Sequence, residues 1–391
     1  MTITLSDDQQ AALDAVFAWI DFGDEEDPIF TLGGLAGTGK STLIKQIVDE
    51  CGATSVCAFT GKAAHVLRNK GVPATTCHRL IYLPFEICLR SGVEISACPM
   101  CRGSFQIDLL GGAPRPTCPD TEVEFRLAPT LETSLIIVDE ASMINTRLYE
   151  DLRSFGIPLL FVGDHGQLEP IGDNPGLMRD PMVKLEKIHR QAGGSEVLQF
   201  AHRVRQGFQP ETTGPKATVL HSATAPRDLE RFDMVLVGKN DTRVAINKML
   251  RRIRGFEGEL PQEGERVICL RNDNKRGIFN GMLATVIDVK VDEHGGGVTM
   301  TVLDDMDQLL PNLPIAPEQF NEPTTLNDIP RRKTLWDYGY CLTVHKSQGS
   351  EWKSVCVLEW IHRESSVERW RYTAATRAVE ELVYCVNPRR R

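Results

Sequence analysis

The chain has no apolar run long enough to cross a bilayer, so it offers no candidate membrane-spanning helix. Its first residues, Met1-Thr2-Ile3-Thr4-Leu5-Ser6-Asp7-Asp8, lack the basic stretch that opens a secretory signal peptide. These two absences lead us to expect a cytoplasmic, reducing setting, in which the eleven cysteines are thiols or metal ligands before they are disulfides. An excess of positive charge is missing too. With 44 Lys and Arg against 53 Asp and Glu, the net charge of −9 excludes a protein that is basic all over, while leaving room for a local basic groove. We also find no separate cluster of acids of the kind that holds two catalytic metals in a nuclease. What remains is an ordinary globular composition, 41% apolar and 25% charged. At 391 residues it is long enough for about two to four domains.

The most informative stretch is Gly34-Leu35-Ala36-Gly37-Thr38-Gly39-Lys40-Ser41. It fits G-x-x-x-x-G-K-[ST] and lies between an apolar run, Ile29-Phe30-Thr31-Leu32, and a helical pattern beginning at Thr42. Glycines let the backbone wrap closely enough for successive N–H groups to face phosphate oxygens, and the helix N-terminus adds partial positive charge. Lys40 is then placed for the β- and γ-phosphates and Ser41 for Mg²⁺. The pattern implies a nucleoside triphosphate site built from Gly34, Ala36, Gly37, Thr38, Gly39, Lys40, Ser41 and Thr42.

Two further apolar runs end in chemistry. Leu135-Ile136-Ile137-Val138-Asp139-Glu140 reads as a buried strand capped by two acids. In a phosphate-loop enzyme the first, Asp139, supports Mg²⁺ together with Ser41, and the second, Glu140, orients and deprotonates the attacking water. Pro158-Leu159-Leu160-Phe161-Val162-Gly163-Asp164 is followed by Gln167, positioned to sense a γ-phosphate.

Read together, these blocks resemble the superfamily 1 helicases, in particular the RecD-like and Dda-like branch 1B. Leu5 to Ala12 is similar to the glutamine motif that reads adenine, with Gln9 its best-placed residue. Phe59-Thr60-Gly61-Lys62-Ala63-Ala64 resembles motif Ia, and Thr75 to Leu80 the next DNA-contact motif. Gly163 to Pro170 resembles motif III, and Lys187-Ile188-His189-Arg190-Gln191 motif IV. Tyr340 to Trp352 resembles motif V and Tyr372-Thr373-Ala374-Ala375-Thr376-Arg377-Ala378 motif VI. The resemblance implies a catalytic set of Lys40, Asp139, Glu140, Gln167, Arg190 and Arg377, with Gly349 and Glu351 completing the nucleotide site. Arginines supply positive charge as the γ-phosphate departs, and drawing them from a second lobe makes nucleotide binding a clamp.

The same resemblance implies an α/β fold of two RecA-like parallel-sheet motor domains, 1A (1–82 and 128–180) and 2A (181–263 and 334–391). A small Cys-containing insertion, 1B (83–127), falls where the family carries its strand-separating pin. A second insertion, 2B (264–333), reads as a small β-barrel of SH3-like type, with turns at Asn280-Gly281 and Gly295-Gly296-Gly297 and a Pro-rich loop from Pro311 to Pro330. Thr60, Lys62, His78, Thr343, His345 and Ser347 are the expected DNA contacts, suited to phosphate and sugar. Within 1B, Cys88, Cys98, Cys101 and Cys118 are spaced C-x9-C-x2-C-x16-C, and Cys98-Pro99-Met100-Cys101 has the form of a zinc knuckle. A structural zinc that stiffens the separation element is the expectation; reduced thiols on a hairpin are the alternative.

The reading reached from sequence is therefore an ATP- and Mg²⁺-dependent DNA helicase moving 5′ to 3′ on single-stranded and forked DNA. It is expected to be a monomer, working beside single-strand-binding, replication or recombination proteins. An RNA helicase of the same superfamily and an ATP-gated nucleic-acid clamp remain the alternatives.

Overall fold

The computed structural model describes all residues except 1–4, 24–27, 89, 100–104, 107–114, 117–120, 170–171, 189–193, 222–225, 274–275, 277, 293–296, 306, 363–365 and 387–391. It divides into two compact units, a large one (1–76 and 133–391) and a small one (77–132).

The large unit opens with α1 (Asp7–Phe22), which starts in a capping box: Ser6 and Gln9 satisfy each other's first-turn groups, and Asp7 and Asp8 face the positive end of the helix dipole. Six parallel strands then form the first sheet in the order β10-β1-β9-β8-β2-β3. They are β1 (Ile29–Gly34), β2 (Thr54–Ala58), β3 (Ala74–Thr76), β8 (Leu135–Asp139), β9 (Leu159–Gly163) and β10 (Val183–Leu185). The apolar runs at β1, β8 and β9 are buried except at Ile29 and Asp139, as strands covered on both faces must be. Helices α2 (Lys40–Cys51) and α3 (Gly61–Asn69) contribute Leu43, Ile44, Ile47, Ala64 and Leu67 to the core of this sheet. The hydrogen bonds of β10 to β1 carry the sheet past residue 180, so a boundary set by strand pairing falls after Leu185.

The small unit begins with α4 (Cys77–Ile81) and contains an antiparallel pair, β4 (Tyr82–Cys88) with β7 (Thr121–Leu127). A second, very short pair joins β5 (Phe105–Gln106) to β6 (Arg115–Pro116).

Back in the large unit, after α5 (Thr146–Arg153), a second parallel sheet has the order β11-β20-β19-β12-β18. Its strands are β11 (Ala217–Leu220), β12 (Met234–Val237), β18 (Cys341–Thr343), β19 (Trp352–Leu358) and β20 (Ala378–Cys385). The helices α6 (Glu196–Arg205), α7 (Pro226–Leu229), α8 (Asn240–Ile253) and α9 (Val367–Ala375) complete this lobe, with Trp370, Tyr372 and Tyr384 fully buried in it.

Between β12 and β18 an antiparallel sheet is inserted, ordered β16-β15-β14-β13-β17. It comprises β13 (Arg266–Cys269), β14 (Leu283–Asp292), β15 (Gly297–Asp304), β16 (Leu309–Ile315) and β17 (Trp336–Tyr338). Two expectations are corrected here. The Pro-rich stretch is not all loop: β16 pairs Ile315 with Val298 and Leu309 with Leu303. It lies at the sheet edge, where Pro311 and Pro314 cost no ladder bond on the open side. The return to the second lobe comes later than residue 334, because β17 pairs Trp336 with Cys269 inside the antiparallel sheet. The insertion is pinned to α8 by two buried ion pairs: Arg251 Nε to Glu265 Oε1 at 2.6 Å, and Arg243 to Asp337.

Candidate active site

In an open parallel sheet, ligands gather outside the carboxyl ends of the strands. Three neighbouring strands of the first sheet deliver the groups that sequence analysis singled out. β1 runs into the phosphate loop, β8 ends at Asp139, and β9 ends at Gly163 just before Asp164. Gly39 caps α2 at φ +83, a left-handed conformation that lets the chain turn from loop to helix. A side chain at Gly34 would meet Thr38 Oγ1 at 2.7 Å and Lys40 Cγ at 2.8 Å, so the cradle tolerates only glycine there.

Lys40 folds back on the loop, donating to Gly34 O at 2.7 Å and Leu35 O at 3.3 Å. Those carbonyls hold the ammonium at the mouth of the cradle, from which a phosphate can draw it. Glu140 has φ +55, a costly conformation for a side-chain-bearing residue that often marks a functional site. Burial, then the charge of Asp139, pushes its carboxyl up to about 7, with Arg377 and Lys40 pulling the other way. Burial likewise raises Asp139, opposed by a backbone hydrogen bond and by Lys40 and Lys70. The resemblance implies Mg²⁺ beside Ser41 and Asp139, and the donors fit: both are hard oxygens. The Lys70 ammonium already stands 3.2 Å from Ser41 Oγ, so the spot accommodates positive charge. Lys70 carried no signal in the sequence.

Gln167 is buried, with Nε2 3.3 Å from Asp164 Oδ2 and its Oε1 unpartnered. Arg377 is buried against neutral acceptors of its own lobe: Thr373 O at 3.1 Å, Ser350 O at 2.9 Å and Thr376 Oγ1 at 3.1 Å. Its charge reaches Glu140, so the second lobe already contributes to the field at the candidate base. Arg190 lies outside the described residues.

Gln9 sits under the loop, donating to Thr38 O at 3.0 Å while its Oε1 accepts from Ser6 N. In this structure its amide is therefore spent on bracing the loop and capping α1, not left free for a base edge. Gly349 has φ +71, and a Cβ there would meet Thr60 Oγ1 at 2.8 Å. Glu351 is exposed and Thr42 half-buried.

Among the expected DNA contacts, Thr60 caps α3 by accepting from Ala63 N at 3.1 Å. The Lys62 ammonium lies 4.8 Å from the centre of the Trp352 ring across the lobes, and burial lowers its pKa. Thr343 is buried and His345 half-buried, with burial favouring the neutral imidazole. Ser347 is fully buried and donates its hydroxyl proton to Val344 O at 2.7 Å, which closes a local turn. In the small unit, the His78 ring lies 5.6 Å from that of Tyr82. Also there, Cys88 and Cys98 come together in a buried cluster with Ile95, and Ser91 Oγ is 3.0 Å from Cys98 Sγ. Cys101 and Cys118 lie outside the described residues, and no metal-holding cluster is found among the described ones.

Several interlobe bonds had no sequence signal. Gln348 Nε2 donates to Leu168 O at 2.9 Å, Leu168 N to Thr373 Oγ1 at 2.9 Å, and Ala36 N to Tyr372 Oη at 2.7 Å. A phosphate loop on one parallel sheet, with an arginine-bearing motif approaching from a second, defines a two-lobed P-loop architecture.

Comparison with known proteins narrows the class. A family model described as an AAA domain matches residues 4–219, and one described as a UvrD-like helicase C-terminal domain matches 338–385. The chain belongs to this AAA-domain family. It is 29% identical over 387 residues to the ATP-dependent RecD2 DNA helicase of Deinococcus radiodurans, covering 90% of this chain but 46% of that protein. The chain thus spans about half the length of that relative. Its fold resembles that of a Bacteroides Pif1 helicase solved with ADP-AlF3 and single-stranded DNA, with a TM-score of 0.57, 18% identity, and coverage of 98% of this chain and 93% of that one. The Candida albicans Pif1 helicase gives a TM-score of 0.51 at 19% identity, covering 98% and 95% of the two chains.

Proposed function

We propose that this chain is an ATP-driven DNA helicase that moves 5′ to 3′ along a single strand and parts the duplex ahead of it. The observation that carries the reading is the convergence on Glu140: Asp139 and Lys40 from the first lobe, and Arg377 from the second, all act on its carboxyl. A hydrolytic site assembled from two lobes converts nucleotide state into lobe spacing, as a motor requires. The naming of one relative as a DNA helicase, and the single-stranded DNA in the Bacteroides Pif1 structure, support DNA as the track.

In this mechanism Lys40 leaves the Gly34 and Leu35 carbonyls for the β- and γ-phosphates, and Ser41 and Asp139 would hold Mg²⁺. When bound, the metal supplies charge neutralisation on the phosphate oxygens. Glu140 takes the proton of the attacking water. Arg377, joined by Arg190, stabilises the departing charge, and Gln167 reports the γ-phosphate. Gln9 braces the loop from below through Thr38 O and turns to the adenine only by giving up that bond, and Gly349 and Glu351 close the site from the second lobe.

Thr60, Lys62, His78, Thr343 and His345 grip the strand by its phosphates and sugars. We assign 83–127 as the 1B separation element and 264–333 as the core of an SH3-like 2B domain, lengthened by β17. Zinc on Cys88, Cys98, Cys101 and Cys118 would stiffen 1B; the burial of Cys88 and Cys98 in one cluster supports this. We expect a cytoplasmic setting and a monomer.

The test is ATP hydrolysis with and without single-stranded DNA, in the wild type and in Lys40→Ala. We expect strong stimulation by the strand in the wild type, and no turnover in a folded Lys40→Ala protein. Normal turnover in that variant would overturn the assignment.

A further inference from the structure

One of the second lobe's contacts with the phosphate loop is a phenol. Tyr372, in α9, is fully buried, and its hydroxyl lies between two groups of the first lobe. Ala36 N donates to Tyr372 Oη at 2.7 Å, and Tyr372 Oη donates to Asp164 Oδ2 at 2.8 Å. Asp164 is almost completely buried and serves as a hub. Its Oδ1 accepts from Gly166 N at 2.8 Å, and its Oδ2 also faces Gln167 Nε2 at 3.3 Å. A phenol has one proton to give. Burial, reinforced by the charge of Asp164, holds that proton on, so the chain of bonds runs in one direction, from amide to phenol to carboxylate.

The packing around this chain leaves little room for slack. A Cβ at Gly166 would meet Tyr372 Cε1 at 2.8 Å and Leu35 Cδ2 at 2.9 Å, and the His202 ring lies 6.0 Å from that of Tyr372. Next along α9, Thr373 accepts from Leu168 N through its hydroxyl and from Arg377 Nε through its carbonyl. The residue beside Tyr372 therefore holds both the strand of chain following Gln167 and the arginine aimed at the site.

We propose that Tyr372 is a positioning residue that ties the phosphate loop to Gln167 through Asp164, so that the second lobe is set by the state of the loop. This rests on the hydrolase reading above. Without the phenol, Ala36 loses its acceptor and Asp164 a donor, so Gln167 and Arg377 are no longer set by the state of the loop. Ground-state binding through Lys40 and the remaining loop amides is untouched. Loss of Tyr372 should therefore lower kcat and spare KM.

The experiment measures kcat and KM for ATP, with saturating single-stranded DNA, in the wild type, Tyr372→Phe, Asp164→Asn and the double variant. Phenylalanine keeps the buried ring and removes only the hydroxyl. We expect kcat to fall about tenfold in Tyr372→Phe, as for a lost hydrogen bond to a charged group. KM should stay within about twofold. If the hydroxyl acts through Asp164, the double variant should be no slower than the slower single variant. A wild-type kcat in Tyr372→Phe, losses that multiply in the double variant, or a change confined to KM would each overturn the proposal. Should Tyr372→Phe fail to fold, an unchanged kcat in Asp164→Asn overturns it equally. A wild type that does not hydrolyse ATP would instead bring down the hydrolase reading, and the inference with it.

Discussion

Replacing Glu140 by Gln should stabilise the nucleotide-free protein while destroying its turnover. The carboxyl titrates near 7 in the fold against an ordinary value of 4.5, first because it is buried and then because Asp139 is beside it. A folded-state value above the unfolded one means that the folded protein holds the extra proton. Stability is therefore unaffected below about 4.5, falls as pH rises from there to about 7, and carries the full penalty above that. The gap corresponds to about 3 kcal/mol, since one unit is about 1.4 kcal/mol. Gln keeps the shape and does not titrate, so its advantage should grow from nothing at pH 4.5 to about 3 kcal/mol at pH 8. The assay is denaturant unfolding of both proteins across that range, paired with ATP hydrolysis at each pH. Wild-type turnover should rise through pH 7 as the base is freed, and the variant should fall by about 10²- to 10⁴-fold. Parallel stability curves, or normal turnover in Glu140→Gln, would refute the assignment of Glu140 as a buried, charge-strained base.

Gly349→Ala should lose about 1 kcal/mol or more and weaken single-strand binding, because φ is +71 and the new Cβ would press on Thr60 Oγ1; an unchanged melting temperature would contradict this. Glu265→Ala should cost about 3–5 kcal/mol by stranding the buried Arg251 guanidinium, read as a lower denaturation midpoint. Metal analysis of the purified chain should find one zinc per molecule, lost in Cys98→Ser; a metal-free protein of full stability would favour the thiol alternative.

Much of the phosphate site was legible because its parts are contiguous. The loop Gly34 to Ser41, the acids at the end of β8 and the Gly-Asp at the end of β9 each follow an apolar run long enough to be a strand. The sheet edges were not. β10 and β17 are three residues each, too short for a periodicity, and only their partners assign them to a sheet. β16 was hidden by its prolines, which an edge position tolerates. Contacts between distant motifs were beyond reach as well: Ala36 and Tyr372 are 336 positions apart, and nothing in either motif announces the bond. Gln9 and Ser347 show the converse. Their motifs were readable, but whether an amide or hydroxyl is free depends on neighbours, here Thr38 O and Val344 O.

A motor that moves 5′ to 3′ on DNA is tested most directly by strand separation. Matched DNA duplexes carrying only a 5′ tail or only a 3′ tail are incubated with the protein, ATP and Mg²⁺, with Lys40→Ala as the control. We expect ATP-dependent release of the strand from the 5′-tailed duplex alone. Release from the 3′-tailed duplex alone, or from neither, would contradict it.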